Sequence, residues 1–137
     1  MIVADTGAVY ALIDSRERNH AALRGLFEKD PDAWLLPWAI LPEVDYLVGK
    51  HLGVKVQEEF LEDLAEGTFS VEWGTESDLA EARTICRKHR GLRLGLVDAA
   101  VMAVAERLRA EAIATLDIRD FGAVALKGSP KLYPRDL

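Results

Sequence analysis

Four acidic residues far apart in the chain, Asp5, Glu43, Asp98 and Asp117, carry the chemistry that is easiest to name. Each falls just after a predicted strand or in the opening turns of a predicted helix. Gathered at one edge of a fold, they would form a carboxylate cluster. Two like charges about 4 Å apart repel by roughly 4 kcal/mol at an effective dielectric near 20. Such groups share a pocket only if some are protonated or a cation intervenes. A hard divalent cation that takes oxygen ligands, Mg²⁺ or Mn²⁺, suits this set, and it can activate a water for hydrolysis. The hydroxyls of Thr6 and Thr115 fall beside the same positions. Taken singly, each acid has an ordinary explanation. Asp5 can cap a helix, Asp98 can favour a helix dipole, and Glu43 can be a solvated helix residue. Asp117, with Arg119 and Asp120 after it, can be a turn. The coincidence of all four at one predicted edge points to a metal site.

The elements that must bring them together are readable from periodicity. Met1–Ala4 is an apolar run ending at Asp5-Thr6-Gly7, a buried strand passing into a helix. Asn19 is placed to cap a helix that carries Leu23, Leu26 and Phe27, and Asp30-Pro31-Asp32 breaks it. Ala33–Leu36 reads as a second strand. Ala39–Leu52 and Val54–Glu66 read as helices stopped by Gly53 and Gly67. Phe69–Trp73 alternates as a third strand. Thr75–Arg90 is a predicted helix with Thr75 and Asp78 as a capping box and with Leu79, Ala82, Cys86 and His89 as its stripe. Leu96–Glu111 is a helix with Val97, Val101, Val104 and Leu108 facing inward. Ala112–Leu116 is a fourth strand, and Val124–Leu126 is a candidate fifth.

Strands alternating with helices predict an α/β fold, a mostly parallel sheet of four or five strands with helices on both faces. Ligands of such sheets bind beyond the carboxyl ends of the strands. Helices that return antiparallel to the strands start at that same edge. Asp5, Glu43, Asp98 and Asp117 then meet at one rim, provided the sheet is parallel.

Composition narrows the class. The 137 residues suit a single domain spanning 1–137, and half of them are apolar. A net charge of −6 argues against holding nucleic acid by overall charge, though not against a local basic patch. With Cys86 as the single cysteine, an intrachain disulfide and a cysteine-based zinc site are both excluded. The start of the chain lacks the pattern of a signal peptide, and no apolar run is long enough to cross a bilayer. A cytoplasmic location without membrane contact is the expectation.

The order of these residues resembles a known family. A strand ends in Asp5-Thr6, Glu43 follows, Asp98-Ala99-Ala100 opens a helix, and Thr115-Leu116-Asp117-Ile118-Arg119-Asp120-Phe121 closes the set. This is similar to PIN-domain ribonucleases, in particular VapC-type toxins of toxin–antitoxin pairs, over nearly the whole chain. The resemblance implies a PIN-like α/β/α sandwich and Mg²⁺- or Mn²⁺-dependent endonucleolytic cleavage of RNA. It implies metal-holding and catalytic roles for Asp5, Glu43, Asp98 and Asp117, with Glu43 a ligand or a helper in deprotonating the attacking water. Thr115 corresponds to the threonine of the Thr-x-Asp motif, and Asp120 to an auxiliary outer group. It further implies a homodimer and a cognate antitoxin. One position departs. The family usually has Ser or Asn two residues after the first Asp, and here Gly7 stands there. A PIN-like domain that binds RNA or a partner with little catalysis is the alternative this leaves open. A haloacid-dehalogenase-type enzyme would need an acid at position 7, and a signalling receiver would need a lysine after a late strand that is not evident.

RNA must still approach an acidic protein. Arg83, Arg87, Lys88, Arg90 and Arg93 form a basic run that ends just before Asp98, and Arg119 lies beside Asp117. Arg16 and Arg18 follow the first helix. These are candidate phosphate contacts, while Arg87, Lys88 and Arg90 equally suit the cationic end of a helix. Trp34, Trp38 and Trp73 invite base stacking, but core or dimer packing is the commoner use. His20, His51 and His89 are expected to pack or face solvent, not to take part in catalysis.

Overall fold

The computed structural model describes residues 1–137. Five short strands form one parallel sheet in the order β3-β2-β1-β4-β5: β1 (Ile2–Ala4), β2 (Trp34–Pro37), β3 (Ser70–Glu72), β4 (Ala112–Ala114) and β5 (Lys131–Tyr133). The central strands, Ile-Val-Ala and Ala-Ile-Ala, are buried throughout, as expected of strands covered on both faces. Seven helices cover the sheet: α1 (Thr6–Ile13), α2 (His20–Lys29), α3 (Leu41–Leu52), α4 (Val54–Glu66), α5 (Glu76–Lys88), α6 (Leu96–Arg107) and α7 (Ile118–Ala123).

The chain leaves β1 toward β2 and β3, then returns to place β4 on the other side of β1. Strand order therefore reverses between β1 and β4. The crevice beyond their carboxyl ends is the switch point where open α/β sheets bind ligands. Asp5 ends β1, and Thr115 to Asp117 leave β4.

Most predicted elements are present, with instructive differences. The fifth strand is Lys131–Tyr133 and not Val124–Leu126. Val124 and Leu126 are buried, but they pack into the core from a loop without pairing. Lys131–Tyr133 pairs instead with Ala112–Ala114, putting Leu132 inside. The predicted helix 96–111 ends at Arg107. Arg109 takes a left-handed conformation (φ 51°) and the Ala110 N–H bonds to the Ala105 carbonyl at 3.0 Å, a helix-ending hairpin of the backbone. Asn19 stands at the start of α2, but its side chain makes no capping bond. The stripe of α5 is Asp78, Ala82 and Ile85, rotated from the predicted one, and Leu79 is half exposed. The capping role of Asp78 holds, since the Thr75 N–H donates to its carboxylate at 2.9 Å. Asp78 is buried because Arg107 grips it at 2.8 Å and Glu72 at 2.7 Å, tying α5 to the end of α6.

α5 and α6 thus form an antiparallel hairpin. At its other end the Cys86 thiol meets the Leu94 carbonyl at 3.6 Å. The basic turn between the helices therefore stands beside the first turn of α6, where Asp98 lies. The core runs on both sides of the sheet through Val3, Val9, Leu23, Leu36, Ile40, Val101, Met102 and Ile113, all essentially inaccessible. Each such side chain is worth about 1.5–3 kcal/mol of burial. That holds the strands, and so the carboxyl rim, rigid.

Candidate functional site

Asp5 continues the ladder of β1 for one residue, its N–H donating to the Ala114 carbonyl at 2.8 Å. It then turns into an extended cap (φ −91°, ψ 163°), and one carboxylate oxygen accepts the Thr6 N–H at 2.8 Å. The other accepts the Thr115 hydroxyl at 3.0 Å. Burial pushes its carboxyl up, the two hydrogen bonds pull it partly back, and Asp117 and Glu43 push it up again, to about 6. Asp5 is therefore both the cap of α1 and a member of a charged group, so the capping reading and the site reading are compatible.

Thr115, fully buried, is the joint of the corner after β4. Its hydroxyl donates to Asp5 and accepts the Asp117 N–H at 3.0 Å, fixing the two acids relative to each other. Asp117 caps α7, one oxygen accepting the Asp120 N–H at 3.0 Å. Asp120 thereby sits at the third helical position, facing the same crevice. Asp98 enters from the first turn of α6. Burial first, then Asp5, Asp117, Asp120 and Glu43 together, push its carboxyl to about 6. All four other acids repel Asp98, so topology has brought the scattered set into one field. Glu43, on the first turn of α3, is the most open of them. It accepts the Thr6 hydroxyl at 2.6 Å.

Asp98, Asp117 and Asp120 come nearest one another, each offering a carboxylate oxygen within 4.8 Å of the other two. One Asp120 oxygen is buried and has no hydrogen-bond partner. Arg119 is its nearest cation at 4.0 Å and points largely into solvent. An unpaired buried carboxylate oxygen among like charges is costly. A divalent cation would relieve it, and an all-oxygen donor set suits Mg²⁺, Mn²⁺ or Ca²⁺ chemistry. The residues present thus fit a hard cation. The family resemblance puts Asp120 in an auxiliary outer group, whereas the structure sets it beside Asp98 and Asp117. The spacing Asp117-x-x-Asp120 puts a capping acid and a second acid one turn apart, the Asp120 N–H donating to Asp117 while the Asp117 N–H is taken by Thr115.

The remaining candidates separate clearly. Arg87, Lys88, Arg90 and Arg93 are exposed and form no ion pair, at or just past the end of α5. Arg16 is held by Asp14 at 3.1 Å. Gly7 sits in the first turn of α1, and an added Cβ would meet only the Leu116 side chain at 3.8 Å. His20 bonds the Ala11 carbonyl at 2.7 Å, and His51 packs edge-on against Tyr10. Trp34 lies in the core against Phe27, whereas Trp38 is partly exposed and Trp73 largely so. No helix is long and apolar enough to cross a membrane.

The chain matches the family model of the PIN domain over residues 2–127. Ribonuclease VapC26 of Mycobacterium tuberculosis is 32% identical over 123 residues, which cover 90% of this chain and 91% of that protein. The crystal structure of M. tuberculosis VapC20, a sarcin–ricin loop cleaving toxin, matches with a TM-score of 0.80 at 20% identity, over 93% of this chain and 98% of that one. VapBC2 from Rickettsia felis, bound to a DNA fragment from their promoter, matches with a TM-score of 0.71 at 15% identity, over 96% and 97%.

Proposed function

The chain belongs to the PIN-domain family, and from that premise we propose that it is an endoribonuclease of the VapC type, the toxin of a toxin–antitoxin pair. The observation that carries the catalytic reading is the carboxylate group at the switch point: Asp98, Asp117 and Asp120 within reach of one cation, with Asp5 and Glu43 at its border. Support for the substrate comes from the ribonuclease that is 32% identical over 90% of the chain. Support for an antitoxin partner comes from the likeness to the R. felis VapBC2 complex.

In this reading Asp98, Asp117 and Asp120 would hold Mg²⁺ or Mn²⁺. Asp5, oriented by the Thr6 N–H and the Thr115 hydroxyl, would add a further carboxylate to the same ion. When bound, the ion supplies an activated water and neutralises charge that builds on the scissile phosphate. Thr115 keeps Asp5 and Asp117 in register. Glu43, open to solvent and hydrogen-bonded by Thr6, would be a further ligand or help to deprotonate the attacking water. Arg87, Lys88, Arg90, Arg93 and Arg119 offer cations to the RNA backbone. A homodimer, as the resemblance implies, belongs to the same reading.

A second reading, a PIN domain that binds RNA with little cleavage, is favoured only by Gly7, which supplies no hydroxyl or amide beside Asp5. An RNA cleavage assay separates the two. Wild-type protein with Mg²⁺ or Mn²⁺ should cut, EDTA should stop it, and Asp98→Asn should lower the rate at least about a hundredfold. Cleavage that survives both EDTA and the substitution would refute the metal mechanism.

A further inference from the structure

Beside the Asp117 corner lies a cleft of about 220 Å³ that the carboxylates do not occupy. Thr115, Leu116 and Ile118 are among its lining, so it shares Thr115 with the acid cluster and flanks Asp117 on both sides in sequence. Arg18, Asn19, Pro134 and Arg135 complete the lining, which is mostly polar and cationic there.

These groups differ in how far the protein already uses them. Arg135 is engaged by Asp136 through two hydrogen bonds at 2.7 and 2.9 Å. Arg16, two residues before Arg18, is likewise engaged by Asp14. Arg18 is exposed and makes neither an ion pair nor a side-chain hydrogen bond. Asn19 stands where a side chain would cap α2, yet its amide caps nothing. A guanidinium and an amide, both without partners, thus border a cleft next to the reacting centre. That donor set suits a phosphodiester oxygen. The guanidinium fork matches phosphate geometry, and the amide adds a neutral donor.

We propose that Arg18 and Asn19 form a backbone-phosphate subsite on the Asp117 side of the carboxylate cluster, holding an RNA phosphate that flanks the scissile one. The inference rests on the ribonuclease reading. It assigns the two residues a positioning role: they fix the strand so that the neighbouring phosphate meets the acids. It also distinguishes Arg18 from Arg16, which sequence alone presents as equivalent.

The test measures binding of a single-stranded RNA oligonucleotide to the Asp98→Asn protein in EDTA, so that no cleavage intervenes. Arg18→Ala should weaken binding about tenfold. The slope of log affinity against log salt should become shallower by about 0.7, the value for one lost phosphate contact on a single strand. Arg18→Lys should keep the slope and recover part of the affinity, and Asn19→Ala should weaken binding without changing the slope. Arg24→Ala, which removes an equal charge from an exposed pair with Glu28 on α2, should change neither. In the metal-loaded enzyme Arg18→Ala should raise KM more than it lowers kcat. Equal affinity and slope for Arg18→Ala and its parent, with wild type still cutting RNA, would overturn this subsite alone. So would losses as large for Arg24→Ala. A wild type that neither binds nor cuts RNA overturns the ribonuclease reading and the subsite with it.

Discussion

Asp5 must carry charge where water scarcely reaches it. Burial is the main reason its carboxyl sits near 6 instead of 3.8, and the neighbouring acids add to it. Asp98 is raised likewise, by burial and then by the four acids around it. A carboxyl so shifted carries a penalty of about 3 kcal/mol when ionised, and coupled groups do not add simply. The sign follows from proton uptake. Between about pH 4 and 6 the metal-free folded state binds more protons than the unfolded chain, so stability falls as pH rises through that window and stays low above it. The acids held below their usual range, Asp14, Asp78 and Asp136, weaken the fold only at lower pH. In EDTA, Tm should therefore be higher at pH 5 than at pH 7.5, and Mg²⁺ should raise it at pH 7.5. Asp98→Asn should flatten the pH dependence and raise metal-free stability at pH 7.5. A Tm in EDTA that climbs steadily from pH 5 to pH 7.5 would count against the cluster. At this scale the acids Asp5, Asp98 and Asp117 were visible in the sequence, because each adjoins a strand end or a helix start. The nearness of Asp120 to Asp98 was not, because it depends on where α6 delivers its first turn.

At the scale of elements, α1 and the β4–α7 corner set the site. α1 begins Thr6-Gly7, and Gly7 is the weakest helix former in its first turn. A Cβ there meets Leu116 at an ordinary 3.8 Å, so nothing opposes a side chain. Gly7→Ala should stabilise the protein by about 0.5 kcal/mol, read as a rise in urea midpoint. Gly7→Ser should in addition raise the cleavage rate, by up to about tenfold, if a hydroxyl beside Asp5 is what the site lacks. Equal rates for the Ala and Ser variants would show that no such group is missing. Element legibility followed the strength of the local signal. Val54–Glu66, flanked by Gly53 and Gly67, was readable to the residue, because Gly67 takes the left-handed conformation that ends the helix. The fifth strand was misplaced because Val124–Leu126 has strand-like apolarity, whereas pairing selected Lys131–Tyr133 by its reach along β4. The end of α6 was missed because Arg109, not glycine, adopts the helix-ending conformation.

Over the whole molecule, an acidic protein must draw in a polyanion. The charge of −6 repels RNA at long range, so capture falls to local cations. The α5–α6 turn places unpaired Arg87, Lys88, Arg90 and Arg93 beside the first turn of α6. Replacing Arg87, Lys88 and Arg90 together by Gln should weaken RNA binding at low salt and flatten its salt dependence by about 2 in the log–log slope, with Tm little changed because all three are exposed. An unchanged slope would remove them from the RNA path. By itself the sequence determined the alternation of strands and helices, the parallel sheet, and the carboxyl edge at which its scattered acids would fall. Those follow from hydrophobic period and chain connectivity, which are local or topological. Only the tertiary structure decided which carboxylates lie within reach of one cation, which cations remain unpaired, and that a cleft flanks Asp117. Those depend on distances of a few ångströms between residues that lie from about twenty to over a hundred positions apart in the chain. Such distances are set by how α6 and the β4–α7 corner pack across the same core.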